Sequence, residues 1–231
     1  MYMRNDILKY YANNKENLHL LFEEIEKNIE GRICHSSILL LKIICELEKI
    51  ENYLEIGVHN GGSMGLLIAN KNSKCLYGVD LFEDMYDEKK HYNKEKFLKY
   101  QYFKRDNLSI KKTENNLSVI KNKYNNDVNI RLIQGNSYFD ETEKKIENTI
   151  GNKNLDLLFI DGDHTLDGVK NDFERYNKYV KKGGFIIFDD YHHEIIKKYC
   201  DEIFMMNDEY EVICKFKSYN STAIDLLVKK I

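Results

Sequence analysis

Asp161, Asp163, Asp189 and Asp190 end two apolar runs, Leu157-Leu158-Phe159-Ile160-Asp161-Gly162-Asp163-His164 and Gly184-Phe185-Ile186-Ile187-Phe188-Asp189-Asp190. Each run reads as a buried strand that delivers carboxylates at its C-terminal end. In an open parallel sheet the ligand crevice lies outside those ends. Two neighbouring strands would therefore gather the four acids around one small volume. Carboxylates that close repel one another. A hard cation such as Mg²⁺ relieves the repulsion, because it takes oxygen ligands and keeps positions open for water or substrate. The pattern points to metal-assisted catalysis.

A second set of residues suits a cofactor. Tyr53-Leu54-Glu55-Ile56-Gly57-Val58-His59-Asn60-Gly61-Gly62-Ser63 ends a strand and opens a helix. Glycines there let a ligand approach the backbone, and a helix start offers free N–H groups to an anion. The spacing is Gly-x-x-x-Gly, not the Gly-x-Gly-x-x-Gly of dinucleotide folds. Asp80 ends the next strand in Tyr77-Gly78-Val79-Asp80, where an acid suits a bidentate hydrogen bond to ribose hydroxyls. Gly135-Asn136-Ser137 follows a third strand, with Asn136 placed to read an adenine edge.

The elements that must position these residues alternate. Residues 1–50 read as helical, with Leu18, Leu21, Phe22 and Ile25, then Leu40, Leu41, Ile44 and Leu47, at helical spacing. Strands are expected near 53–57, 75–80, 129–134, 155–161 and 184–190, and helices over 62–70, 139–149, 165–181 and 192–204. In the 165–181 helix, Leu166, Val169, Phe173, Tyr176 and Val180 form one apolar stripe. Alternating βα units imply a parallel sheet with right-handed crossovers. Tyr210–Phe216 and Ser221–Lys229 alternate about a Lys-Ser-Tyr-Asn turn and read as a hairpin added antiparallel to one sheet edge. The connection over about 81–128 is long enough to be a lid or binding element.

The chain has 231 residues and a net charge of −3. That suits one α/β domain with an added element or two, able to bury a full core. The absence of a long basic run argues against nucleic acid as a main partner. With no proline in the chain, no cis-Pro turn can shape the site. The five cysteines, Cys34, Cys45, Cys75, Cys200 and Cys214, are odd in number and form no CxxC. Buried reduced thiols in a cytoplasmic protein are the expectation. The N-terminus lacks the apolar core of a signal peptide. The most apolar helix, Ser37 to Ile50, is broken by Lys42, Glu46 and Glu48 and is too short to span a bilayer. A soluble protein without a membrane partner is expected.

Taken in order, Glu-Ile-Gly-x-x-x-Gly-Gly-Ser, the acid ending strand two, Gly-Asn-Ser after strand three, Phe-Ile-Asp-Gly-Asp-His and Phe-Asp-Asp resemble a class I S-adenosylmethionine-dependent methyltransferase. The group most similar is the metal-dependent O-methyltransferases of the macrocin type, which act on sugar hydroxyls. The resemblance covers roughly residues 50–230. It implies a Rossmann-like α/β sheet with a C-terminal antiparallel hairpin, helices on both faces, and an N-terminal helical extension (1–50) before the methyltransferase domain (51–231). It also implies that Glu55, Gly57, Gly61 and Ser63 surround the methionine part of the cofactor. Asp80 would hold the ribose, and Asn136 and Ser137 would lie near adenine. Asp161, Asp189 and Asp190 would hold the divalent metal, Mg²⁺ by this reading, and Asp163 would be the general base with His164 as the alternative. The acceptor would be a small hydroxyl compound, a sugar by resemblance, with a catechol as another option. The N-terminal helices offer a face for a homodimer. Two positions depart from the pattern: Lys182-Gly183-Gly184 replaces Pro-Gly-Gly, and Asn136 stands where an acid is common.

Other readings compete for the same residues. Asp163 could cap the following helix. His192 and His193 could simply ride the next helix face. Asp161-Gly162-Asp163-His164-Thr165-Leu166 resembles the Asp-x-Asp-x-Thr-Leu motif of haloacid-dehalogenase-type phosphatases, but only 65 residues follow Leu166 to complete that sheet. A nicotinamide-dependent oxidoreductase would explain Gly57 and Asp80 but not the carboxylates. A non-catalytic nucleotide-binding module would leave four acids without a purpose.

Overall fold

The apolar runs of the sequence form the middle of a seven-stranded sheet. The computed structural model describes residues 2–29, 35–82, 108–125, 127–217 and 222–231. Helices Tyr2–Glu26 (α1) and His35–Leu47 (α2) lead into Asn52–Ile56 (β1), Gly62–Ile68 (α3) and Cys75–Asp80 (β2). Ile110–Tyr124 (α4), Asn129–Gln134 (β3), Asp140–Ile150 (α5), Leu155–Ile160 (β4) and Leu166–Tyr176 (α6) follow. Val180–Phe188 (β5), Glu194–Met206 (α7), Tyr210–Phe216 (β6) and Asp225–Lys230 (β7) complete the described elements. The strand order is β3-β2-β1-β4-β5-β7-β6, with β1 to β5 parallel and β7 antiparallel to both its neighbours.

Strand residues alternate between two apolar layers, as the period of two demands. Tyr53, Leu157, Phe159, Phe185 and Ile187 share one layer with Phe22, Leu40, Leu66 and Leu117 of α1 to α4. Leu54, Leu158, Ile160, Ile186 and Phe188 share the other with Ile146, Val169, Phe173, Ile196 and Phe204 of α5 to α7. A sheet covered on both faces explains why Leu157–Ile160 of β4 read as a continuous apolar run. The N-terminal helices therefore pack into the same core as the sheet. Among the described residues no helix is long and apolar enough to cross a membrane. The four described cysteines are buried and free, and burial pushes the Cys45, Cys200 and Cys214 thiols up to about 12.

Two boundaries differ from expectation. Helix α6 stops at Tyr176, and after a short 3-10 turn Val180 opens β5 opposite Leu155. Val180 therefore continues the apolar layer from a strand, not from the helix. Strand β5 begins earlier than expected because Lys181–Gly184 bulge out before pairing resumes at Leu157–Phe185. The C-terminal hairpin is added antiparallel to the β5 edge of the sheet, as expected, with β7 lying between β5 and β6. The hairpin turn at 218–221, and most of the 81–128 connection (83–107 and 126), lie outside the described residues. What is described of that connection is mainly α4. Its N-cap Ser109 accepts a hydrogen bond from the Lys112 N–H, and Leu117 and Ile120 reach the core.

Two buried acids tie the ends of the central strands. Asp156 accepts the backbone N–H groups of Glu51 (2.8 Å) and Asn52 (2.7 Å) and pairs with Lys181. It joins the starts of β1, β4 and β5. Asp156→Ala should leave two backbone donors and one ammonium without their partner. A loss of roughly 2–4 kcal/mol is expected in urea unfolding.

Glu55, near the other end of β1, is 1% exposed. Burial raises its carboxyl to about 8; hydrogen bonds from Ser63 and Tyr53 oppose this, and the charge of Asp80 adds to it. The folded chain thus keeps a proton that the unfolded chain releases near its ordinary value of 4.5. Stability should fall as pH rises across that window and level off above it. Glu55→Gln should remove this slope, by up to about 1.4 kcal/mol per pH unit. Parallel denaturant curves for the two proteins at several pH values across the window would check it.

Candidate active site

The site lies at the C-terminal ends of β1, β4 and β5. Ile160 pairs with Phe188, so the residues that follow, Asp161 and Asp189, leave the sheet side by side. The ladder continues one step beyond: the Asp161 N–H donates to the Ile56 carbonyl (2.9 Å) and the Asp189 N–H to the Ile160 carbonyl (3.1 Å). Asp190 then adopts φ 57°, a left-handed conformation unusual for a non-glycine, and its carbonyl accepts the His193 N–H (2.9 Å). That turn sends Asp190, His192 and His193 back over the strand ends.

The acids crowd as their spacing predicts. Burial raises the Asp161 carboxyl well above the ordinary range, with the negative charges of Asp189, Glu55 and Asp190 adding to the rise. Asp189 is 5% exposed, and among the described residues its buried Oδ1 has no hydrogen-bond partner. Asp161, His164 and Asp189 each bring one ligand atom to within 4.8 Å of one another. Asp190, His192 and His193 form a second such group. An orphaned buried carboxylate oxygen beside a carboxyl with a raised pKa fits a cation. The oxygen donors suit Mg²⁺, and the imidazole nitrogen would also suit a transition metal.

His164 joins the two groups. Its Nδ1 bonds the Asp190 carboxylate, and its Nε2 lies 3.9 Å from Asp161 Oδ1. Burial works against its imidazolium, but the hydrogen bond and charge of Asp190 outweigh that and raise its pKa. Asp190 is lowered in return: burial would raise it, yet His164, His193 and His192 together prevail.

Asp163 sits apart from both groups. Its Oδ1 accepts the Thr165 N–H (3.0 Å) and its Oδ2 the Tyr138 hydroxyl (3.2 Å). Thr165 itself caps α6 by accepting the Gly168 N–H (3.1 Å). Asp163 therefore shapes the turn into α6. Burial, then the charge of Asp163, push the Tyr138 hydroxyl up to about 12, so it remains a donor.

On the cofactor side, Gly57 (φ 95°) has no room for a side chain, since a Cβ there would lie 2.0 Å from the Asp161 carbonyl oxygen. Gly61 (φ 86°) faces α4, where a Cβ would lie 2.9 Å from Leu117 Cδ2. The Glu55 carboxyl is held between the Ser63 hydroxyl and the Tyr53 hydroxyl. Both Asp80 oxygens accept backbone donors: His59 N–H to Oδ2 and Phe82 N–H to Oδ1, each at 2.7 Å. Asn136 Oδ1 accepts the Tyr138 N–H (2.9 Å), and the Ser137 carbonyl accepts the Tyr176 hydroxyl (2.8 Å). Beneath that loop, burial raises the Asp172 carboxyl to about 7, with hydrogen bonds from Ser137 and Asn171 opposing.

The structure thus gathers Asp161, Asp189, Asp190 and His164, with Glu55 of β1, Gly57 of the loop after it and Ser63 of α3 beside them. Tyr53, Thr113, Asn116, Tyr138 and Asp172 were missed from the sequence. Tyr53 had a signal, lying two residues before Glu55 on the same face. Thr113 and Asn116 had one too, as polar residues on the helix face that carries Leu117 and Ile120. Tyr138 and Asp172 had none, since only the fold brings them to Asp163 and Ser137.

Comparison with known proteins agrees with this architecture. Residues 54–191 match the family model described as a methyltransferase domain. A relative called uncharacterized protein R132, from Acanthamoeba polyphaga mimivirus, is 36% identical over 170 residues. The match takes in 72% of this chain and 64% of that relative, so the chain accounts for less than two thirds of its length. Among solved structures, an O-methyltransferase from Bacillus cereus in complex with SAH has a TM-score of 0.60 at 16% identity, covering 97% of this chain and 100% of that one. A putative caffeoyl-CoA O-methyltransferase from Staphylococcus aureus has a TM-score of 0.56 at 18% identity, covering 99% and 100%. The chain belongs to the methyltransferase-domain family and has the class I S-adenosylmethionine-dependent methyltransferase fold.

Proposed function

We propose that this chain is a metal-dependent O-methyltransferase that moves a methyl group from S-adenosylmethionine to a hydroxyl of a small molecule. The resemblance of its motifs to the macrocin-type enzymes supports a sugar as the acceptor. The buried, unpaired cysteines support a reducing, cytoplasmic setting. The observation that carries the reading is the backbone contact between Gly57 and Asp161. It sets a glycine loop suited to a cofactor directly against a carboxylate cluster suited to a cation and a hydroxyl.

Each residue then has a task. Glu55, Gly57, Gly61 and Ser63 form the loop beside the methionine end, Asp80 faces the ribose, and Asn136 and Ser137 border the adenine. Asp161 and Asp189, with Asp190 as the third carboxylate, would hold the metal. A bound divalent ion supplies a lowered hydroxyl pKa and a fixed acceptor position. His164 takes the acceptor proton on Nε2, because Nδ1 is held by Asp190. Asp163, the other candidate base, already accepts from Thr165 and Tyr138 and orients the loop between them. Holding nucleophile and methyl group close and in line supplies much of the acceleration.

Titration calorimetry should show S-adenosylhomocysteine binding to the purified protein with or without chelator. No heat at millimolar ligand would remove the cofactor reading. Labelled methyl transfer from S-adenosylmethionine to a panel of sugars and catechols should identify the acceptor and stop in excess chelator. On that acceptor, His164→Gln should slow turnover by about 10²–10⁴, more than Asp163→Asn.

Mn²⁺ binding followed by electron paramagnetic resonance should weaken at least about tenfold in Asp189→Asn, a loss near 1.4 kcal/mol. S-adenosylhomocysteine affinity and thermal stability should be kept, since the change relieves a crowded charge. Unchanged Mn²⁺ affinity would move the ion elsewhere.

A further inference from the structure

Helix α4 presents two polar side chains to the protein interior, and both grip the loop after β1. Thr113 is fully buried, and its hydroxyl donates to the His59 carbonyl at 2.7 Å. Asn116, 5% exposed, donates from Nδ2 to the Asn60 carbonyl at 3.0 Å. A buried polar group is tolerated when bonded and is costly when not, and these two donors answer carbonyls that an apolar helix face would leave unpaired. Leu117, one residue on, packs over Gly61 at a spacing that leaves no room for a Cβ.

The loop needs holding. His59 carries φ 52° and Gly61 φ 86°, and the first is a conformation that a residue with a Cβ adopts only when its surroundings impose it. In a trans peptide the N–H points opposite the carbonyl. Fixing the carbonyls of His59 and Asn60 therefore fixes the direction of both peptide planes between His59 and Gly61. The His59 residue is pinned at its other end as well, because its N–H donates to Asp80 Oδ2 at 2.7 Å. One connected set of hydrogen bonds thus runs from α4 through the glycine loop to the acid at the end of β2.

We propose that Thr113 and Asn116 are positioning residues for cofactor binding, acting through the backbone of His59–Gly61 and through Asp80. The proposal rests on the cofactor reading above. It is tested on the full chain by calorimetry with S-adenosylhomocysteine and by hydrogen exchange without ligand. Thr113→Val and Asn116→Ala should each weaken S-adenosylhomocysteine binding roughly tenfold, and Thr113→Ser, which keeps the donor, should restore it. Exchange at the amides of residues 58–61 should speed up in Thr113→Val. Ile120→Val, in the apolar part of the same helix, should lower the melting temperature yet leave both readouts at the wild-type value. Equal affinity in the wild type and Thr113→Val, with only a lowered melting temperature, would overturn the positioning role. If the wild type itself does not bind, the cofactor reading fails separately. The exchange measurement then decides the clamp, and unchanged exchange at 58–61 in Thr113→Val overturns it.

Discussion

The close approach of Gly57 to Asp161 is the constraint on which the site depends. β1 and β4 are neighbours in register, so their ends must leave the sheet through the same narrow space. A side chain at Gly57 would occupy the Asp161 carbonyl, and the two loops would separate. With glycine there, the β1 loop lies against the turn that carries Asp161, Gly162 and Asp163. Everything that the loop could hold is thereby set against the carboxylates. The left-handed φ at Gly57 is part of the same solution, because it turns the chain away from the strand direction without a Cβ penalty.

Electrostatics sharpen this arrangement. Glu55 and Asp161 both hold raised carboxyl pKa values, and burial is the first cause of each. Asp190 alone of the group goes the other way, because three histidines surround it. The site is therefore split into crowded acids whose burial favours a proton or a cation and a carboxylate that faces imidazole rings. Such a division between adjacent acids is a common basis for giving them different chemical roles.

Much of this was legible in the sequence, and the reasons are specific. The runs 155–160 and 184–188 end in acids because the sheet is buried and its edge is wet, so both the strands and the convergence of Asp161 with Asp189 follow from pattern alone. Asp80 was legible for the same reason, and Glu55 as the acid set inside an apolar strand run beside the glycine loop. The helix continued through Val180 in the sequence reading because helical spacing and strand burial both accept a valine there. Only the register with Leu155 separates them. The bonding of His164 to Asp190 was not legible, since it depends on a left-handed turn at a residue whose type does not require one. Thr113 and Asn116 stood out only as polar residues on a buried helix face; what they grip was hidden, because sequence gives no distance between a helix and a loop more than fifty positions earlier.

The placement of β7 between β5 and β6 bears on how the chain is made. In chain order, β2 and β3 add to one side of β1, and β4 and β5 then add to its other side. The open flank of β5 then waits while α7 and β6 appear, and β6 cannot close it. Until β7 follows, a buried strand that leads to Asp189 keeps an unpaired row of amide groups, and β6 has no neighbour at all. An unpaired row of that kind can template pairing with another chain. The nascent protein thus passes through a period in which its most reactive edge is next to its future active site.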